Sequence, residues 1–149
     1  MKEKILTSAG GERTYILVLD EGDEALTSIV AFAEKNEISA ASVTAIGAFR
    51  EATVAFFEFD AKTYREIPVV EQSEVLSMIG DIAVDDAGKA SLHLHVVLGL
   101  SDGSTRGGHF ISGSVRPTLE VIVRETAANL RRRKDESLGI ALIDLSAET

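Results

Sequence analysis

The segment from Ala90 to Leu100 constrains the fold more than any other part of the chain, because its residues alternate in character. Successive side chains of a β-strand point to opposite faces of the sheet. One face of this strand would carry only apolar residues, namely Leu92, Leu94, Val96, Leu98 and Leu100. The other face would carry Ser91, His93, His95, Val97 and Gly99. The pattern predicts a strand that covers a hydrophobic core and presents two histidines on its opposite side.

The rest of the chain is predicted to form one main helix and several further strands. The helix runs from Glu24 to about Asn36, where apolar residues recur at helical spacing. The strands are predicted at Arg13–Leu19, Ala41–Ala48, Thr53–Phe59, Val69 to about Ile82 with a break at Gly80, His109–Val115, Leu119–Glu125 and Ile140–Leu145. Turns are expected at 85–88, 101–104 and Arg116-Pro117, and a short helix at Thr126–Arg133. This order predicts an α+β fold, with a central, mostly antiparallel sheet and one main helix packed on it, as a single domain over residues 1–149.

Composition limits the classes of function. No apolar run reaches the ~18 to 20 residues of a membrane helix, and the N-terminus has no secretory pattern, so we expect a cytoplasmic protein with no membrane partner. The chain has no cysteine, which excludes disulfides and thiolate metal sites. Its formal net charge is −9, and duplex DNA binding depends on neutralising phosphates with Lys and Arg. DNA binding by this chain alone is therefore disfavoured.

The three histidines are the most distinctive chemical feature. His93 and His95 are presented side by side by the alternating strand, and His109 follows Gly107-Gly108 across the next loop. Three neutral imidazoles are a ligand set for a zinc ion with an open fourth position, and they also suit other borderline divalent metals. The alternative is that the pair on the strand is only a half-exposed polar face.

The register of the hairpin decides whether the third histidine can join the other two. A two-residue turn at Asp102-Gly103 would pair His95 with Phe110 and point His109 to the other face. The three converge only if a bulge at Gly107-Gly108 or an odd-length loop shifts the register, or if His109 acts from the loop.

Other candidate residues are weaker. Glu74 and Glu120 lie in apolar, strand-like runs, where a carboxylate faces water, pairs with a cation or takes part in chemistry. A solvated or paired role is favoured over that of general base for both. The basic stretch 131–134 is followed by Asp135 and Glu136, which favours a solvated helix end over a phosphate clamp.

Several motifs resemble the plant and prokaryote conserved (PPC) domain family. The most specific match runs from Leu92-His93-Leu94-His95 through Asp102-Gly103 and Gly107-Gly108-His109-Phe110 to Pro117-Thr118-Leu119-Glu120-Val121. Upstream matches are Arg13, Glu21-Gly22-Asp23, Ile46-Gly47-Ala48-Phe49 and Glu74-Val75-Leu76-Ser77, so the resemblance extends from about Arg13 to Leu145.

The resemblance implies a domain with a central antiparallel sheet that assembles as a homotrimer. The family's histidines map onto His93, His95 and His109, which strengthens the prediction of a divalent metal site, with zinc preferred. The DNA-binding description of prokaryotic members derives from plant relatives, whose AT-hook lies outside this domain. No Arg-Gly-Arg-Pro hook occurs in this sequence.

The sequence is therefore compatible with three functions. The first is a trimeric metal-binding domain, which could act on an unidentified small molecule with Glu74, Glu120 or Arg13 near the metal. The second is a DNA-associated regulatory protein, and the third is a trimeric interaction module in which the histidines are structural.

Overall fold

The computed structural model describes residues 1–146, which form nine strands and one helix. The predicted domain also includes residues 147–149, which lie outside the described part. In chain order the elements are β1 (Lys2–Ala9), β2 (Glu12–Asp20), α1 (Ala25–Lys35), β3 (Ala41–Glu58), β4 (Thr63–Val69), β5 (Ser73–Val84), β6 (Ala90–Gly99), β7 (Thr105–Glu125), β8 (Arg131–Asp135) and β9 (Ile140–Asp144). Within residues 1–146, no helix is both long enough and apolar enough to cross a membrane.

The strands form one mostly antiparallel sheet in the order β1-β2-β7-β3-β5-β8-β9. The pairing of β5 with β8, at Val84 and Arg131, is parallel. Strand β6 lies off this path and pairs with both β5 and β7, while β7 also pairs with β3 and β3 with β5. All pairings among these four strands are antiparallel, which agrees with the predicted, mostly antiparallel sheet. Because the four strands close a circuit, the sheet is curved.

The hydrophobic core lies between α1 and the concave face of the sheet. The helix begins where the Glu24 carboxylate accepts hydrogen bonds from the backbone N–H groups of Leu26 and Thr27. Its buried face carries Ile29 and Phe32, and the Phe32 ring packs edge-on against Tyr15 with ring centroids 5.0 Å apart. From the sheet, Leu94, Val96 and Leu98 point into this core, as the alternation of β6 predicts.

Two strands are longer than predicted. The runs expected at Ala41–Ala48 and Thr53–Phe59 are one strand, β3, and the runs on either side of Arg116-Pro117 are one strand, β7. The predicted turn at Arg116-Pro117 is instead an irregularity in register, because Val115 pairs with Phe49 and Leu119 with Gly47. Extra residues in β7 accommodate the proline, which has no N–H to donate to the ladder.

Two further predictions are corrected. Residues 126–133 are not helical, because the backbone N–H groups of Thr126 and Leu130 donate to Ala40 and Ser39, and the chain continues into β8. Strand β5 begins at Ser73, not Val69, and continues through Gly80 without a break. Strand β1, which is exposed along its whole length, was not predicted because it has no apolar alternation.

Candidate metal centre

The structure brings the three histidines together on the convex face of the sheet. His95 of β6 lies directly opposite His109 of β7, and His93 lies two residues before His95 on the same face. The ring centroids are 5.2 Å apart for His93 and His95, 5.0 Å for His93 and His109, and 5.6 Å for His95 and His109. One nitrogen from each ring lies within 4.8 Å of the others.

The hairpin register explains this convergence. Gly99 pairs with Thr105, so the connecting loop 100–104 has an odd number of residues, and the two-residue turn that would have separated His95 from His109 does not form. Gly107 and Gly108 continue the regular pairing with β6. A Cβ atom on Gly108 would lie 2.5 Å from the carbonyl oxygen of Ala55, so glycine here permits the close approach of β3 and β7 beside His109.

Burial keeps two of the rings in the form that binds metals. Burial, with smaller contributions from His93, His95 and Arg132, lowers the pKa of His109 to about 4. Burial and the nearby Arg132 charge also lower the pKa of His93. Both rings are therefore neutral near pH 7, and a neutral imidazole offers a lone pair to a metal ion.

The donor atoms fit a metal ion. His109 Nδ1 is buried and makes no hydrogen bond with any part of the chain that the structure describes. The Tyr64 ring stacks on His109 with centroids 4.6 Å apart and planes inclined by 25°, which fixes the plane of the imidazole. A buried, unpartnered nitrogen beside two further imidazoles is the arrangement that a borderline divalent ion satisfies.

A shallow depression adjoins the histidines and leaves room for a ligand. Its volume is about 470 Å³, and it is lined by residues 42–44 of β3, residues 79–81 of β5, and His93 and His95. The hydroxyl-bearing side chains of Ser42 and Thr44 share this face of the sheet with Ile79. An ion held by the three rings would therefore remain open to a small molecule on one side.

Two charged residues beside His93 were not predicted as part of the site. Asp81 lies opposite His93 on β5, and Arg132 of β8 forms an ion pair with Asp81. The expectation that residues 131–134 form a solvated helix end is wrong, because these residues belong to strand β8 and the Arg132 side chain is only 5% exposed. The alternation of residues 131–135 is too short, and these residues are too charged, for the sequence to reveal that Arg132 is buried.

The three residues that were predicted to lie near the metal occupy other parts of the sheet. Arg13 binds Glu125, with Nη2 to Oε1 at 2.7 Å, and donates to the backbone oxygen of Asn36 at 3.0 Å. Glu74 pairs with Gly99 at the far end of the β5–β6 ladder. Glu120 lies opposite Ile46 on β3. Within one chain, the structure does not bring any of the three to the histidines.

The fold and the cluster define an α+β sheet domain with a candidate three-histidine metal centre on its convex face. The Plants and Prokaryotes Conserved (PCC) domain matches residues 6–127, and the chain belongs to this family.

Solved structures agree with this assignment. A metal-containing protein from Archaeoglobus fulgidus is 34% identical over 87% of this chain and 91% of its own, with a TM-score of 0.81. A plant- and prokaryote-conserved protein from Pyrococcus horikoshii is 31% identical over 95% of this chain and 100% of its own, with a TM-score of 0.84. A provisionally described DNA-binding protein from Bacteroides thetaiotaomicron is 27% identical over 97% of this chain and 99% of its own, with a TM-score of 0.87. No curated protein matches the sequence.

Proposed function

We propose that this protein binds one divalent metal ion, preferably zinc, through His93, His95 and His109. The observation that carries the proposal is the convergence of one nitrogen from each ring to within 4.8 Å of the others. The burial of His109 Nδ1 without a hydrogen-bond partner among the described residues adds to it. The similarity to the metal-containing protein of Archaeoglobus fulgidus also supports the proposal.

An ion bound there would polarise a carbonyl group or lower the pKa of a bound water. The protein's own residues would orient the ion and its ligand: Tyr64 holds the plane of His109, and the depression beside Ile79 admits a small molecule. The proposal therefore includes a small-molecule ligand at the open coordination position, of a class that these residues do not specify.

Elemental analysis tests the metal site. We expect untagged wild-type protein to contain close to one equivalent of a divalent metal, and the His93→Ala, His95→Ala double variant to contain none. Ser77→Ala, an exposed residue opposite Val97 on the same face of the sheet, is the matched control and should keep its metal. Circular dichroism should give the same strand signal for all three proteins. Absence of metal from wild-type protein, even after incubation with zinc, would reject the site.

A second proposal concerns self-association through the convex face of the sheet. Large apolar side chains are exposed there, namely Ile46 (59% exposed), Leu76, Ile79 and Val97. Exposed apolar surface of this extent on one face is typical of an interface. We propose that this face joins copies of the chain into the homotrimer that the family resemblance implies, with the histidines near the interface.

Ile46→Asp is expected to dissociate the assembly. The change places a carboxylate in the apolar face, opposite Glu120, where burial at an interface would leave two like charges side by side. Analytical ultracentrifugation should give the mass of three chains for wild type and one for the variant. Phe59→Asp also replaces an exposed apolar residue, but one in the turn that follows β3, so it is the control and should remain trimeric. A monomeric wild-type protein would refute the proposal, and repeating the experiment with chelator separates assembly from metal binding.

The charge distribution does not favour duplex DNA as a partner. In the basic stretch 131–134, Arg132 is buried, Arg133 pairs with Asp144, and Lys134 pairs with Glu136. Three of these four cations already have a carboxylate partner, and the chain as a whole is acidic.

A further inference from the structure

Arg132 lies beyond the segment that the family domain matches, yet its side chain reaches the edge of the metal centre. We propose that Arg132 is a positioning residue for this centre, and that it holds Asp81 beside His93 so that the imidazole keeps the orientation which metal binding requires. The inference rests on the proposed metal site.

The guanidinium of Arg132 joins β6, the strand that carries His93, to the neighbouring strand β5. Its Nη1 donates to the backbone oxygen of Ser91 at 3.0 Å and to Ser91 Oγ at 3.1 Å, while Nη2 pairs with the Asp81 carboxylate. Ser91 lies two residues before His93 on β6, and Asp81 lies opposite His93 on β5. One planar side chain therefore spans both strands next to the same histidine.

Backbone contacts between β5 and the start of β8 place Arg132 beside Asp81 and Ser91. The Val84 N–H donates to the Leu130 carbonyl at 2.8 Å, and Arg131 pairs with Val84 in the parallel contact between β5 and β8. Both neighbours of Arg132 on β8 are exposed, so Arg132 is the residue of this segment that turns inward. A buried arginine is costly unless its donors are paired, and here Asp81 and Ser91 pair them.

The partner that Arg132 holds is of a type that commonly supports a metal-binding histidine. A histidine that binds a metal through one ring nitrogen usually donates its other N–H to a carboxylate, a backbone carbonyl or water, and loss of that support typically costs 10- to 100-fold in metal affinity. Asp81 is the carboxylate that shares the His93 position across the β5–β6 ladder. Without Arg132, the Asp81 side chain, already 35% exposed, would be free to turn towards water.

The positioning role and a simple charge effect predict opposite results. A guanidinium near a divalent cation repels it, so an arginine that acted only through its charge would weaken metal binding, and its removal would tighten it. An arginine that positions Asp81 would, when removed, weaken metal binding. Arg132→Lys separates the two further, since lysine keeps the charge but cannot bridge Asp81 and Ser91 with a planar fork.

The test is a cobalt(II) titration of metal-free protein, because the visible absorption of cobalt reports both affinity and coordination geometry. We expect Arg132→Met, Arg132→Lys and Asp81→Asn each to weaken cobalt binding by about 10- to 100-fold and to change the absorption of the bound ion. The Arg132→Met, Asp81→Asn double variant should bind no more weakly than Asp81→Asn alone, because Arg132 acts through Asp81. The control is Arg131→Met, the exposed neighbour on β8, which should bind like wild type.

Unchanged or tighter binding by the Arg132 variants would overturn the positioning role while leaving the metal site intact. Additive losses in the double variant would also overturn it. Failure of wild-type protein to bind cobalt would instead reject the proposed function. If Arg132→Met does not fold, Arg132→Lys decides alone, since a charge effect predicts wild-type affinity for it and positioning predicts weaker binding.

Discussion

Replacing Gly80 by alanine is expected to destabilise the protein by about 3 kcal/mol or more and to remove most of its metal affinity. An added Cβ would lie 1.8 Å from the carbonyl oxygen of His93 and 2.9 Å from Cα of Leu94. Both are backbone atoms of the paired strand β6, so no side-chain rotation relieves the contact. One strand must move, and the peptide group that is displaced belongs to a proposed metal ligand.

Gly99→Ala is the matched control for this prediction, because Gly99 belongs to the same ladder. The nearest atoms to its added Cβ are the branched end of the Leu76 side chain, at 3.1 to 3.2 Å, which can rotate away. Alanine inside a strand is otherwise favoured over glycine by about 0.5–1 kcal/mol. This gain should offset the cost of moving the Leu76 side chain, so Gly99→Ala should be nearly neutral in stability. Urea denaturation and cobalt titration of both variants test the prediction, and equal stability of the two variants would contradict it.

Acidification is expected to destabilise the metal-free protein by about 2 to 3 kcal/mol more than its carboxylates explain. The pKa of His109 is about 4 in the folded chain and near 6.5 in the unfolded chain, so the unfolded state binds more protons between these values. Stability is therefore fully present above about pH 6.5 and is lost as the pH falls towards 4. The lowered pKa of His93 adds a loss of the same sign.

Urea denaturation at pH 7 and pH 4.5 measures this loss, with His109→Gln as the comparison. Glutamine does not titrate, so the variant should lose less stability than wild type over the same interval, while the contribution of the carboxylates stays the same in both. Identical losses would contradict the assignment of the pH dependence to His109. Zinc should stabilise the wild type more at pH 7 than at pH 4.5 and so enlarge the loss, because protons compete with the bound ion for the same nitrogens.

Local alternation made much of the site predictable. The two faces of β6 follow from the sequence Ala90 to Leu100 alone, and the structure confirms that Leu94, Val96 and Leu98 are buried while His93 and His95 lie on the opposite side. The position of His109 depended on the length of the loop 100–104. The sequence Asp102-Gly103 is typical of a two-residue turn. In the structure, the Leu100 N–H instead donates to the Ser104 carbonyl, and the connecting loop is 100–104.

Long-range contacts explain what the sequence did not reveal. Arg132 sits in a run of four basic residues, and nothing in that run distinguishes the side chain that pairs with Asp81 from the ones that face water. The segment 126–133 has no strong helical or strand period, so its conformation is decided by hydrogen bonds to Ser39, Ala40 and Val84. Arg13 was predicted to lie near the metal, but its ion pair with Glu125 determines where its guanidinium lies.

The central position of β7 has a consequence for the order in which the chain can fold during its synthesis. Strand β7 joins β2 to β3, with Thr14 opposite Arg124 and Ala41 opposite Glu125. A ribosome releases these early strands long before β7, so the edges of β2 and β3 that pair with β7 stay open until residue 125 has emerged. Hairpins that close locally, such as β5 with β6, form without that delay, and the sheet is completed only when β7 inserts between β2 and β3. The nascent chain therefore presents His93 and His95 before it presents His109, and the three rings can meet as soon as the local β6–β7 hairpin forms, before β7 has joined β2 to β3.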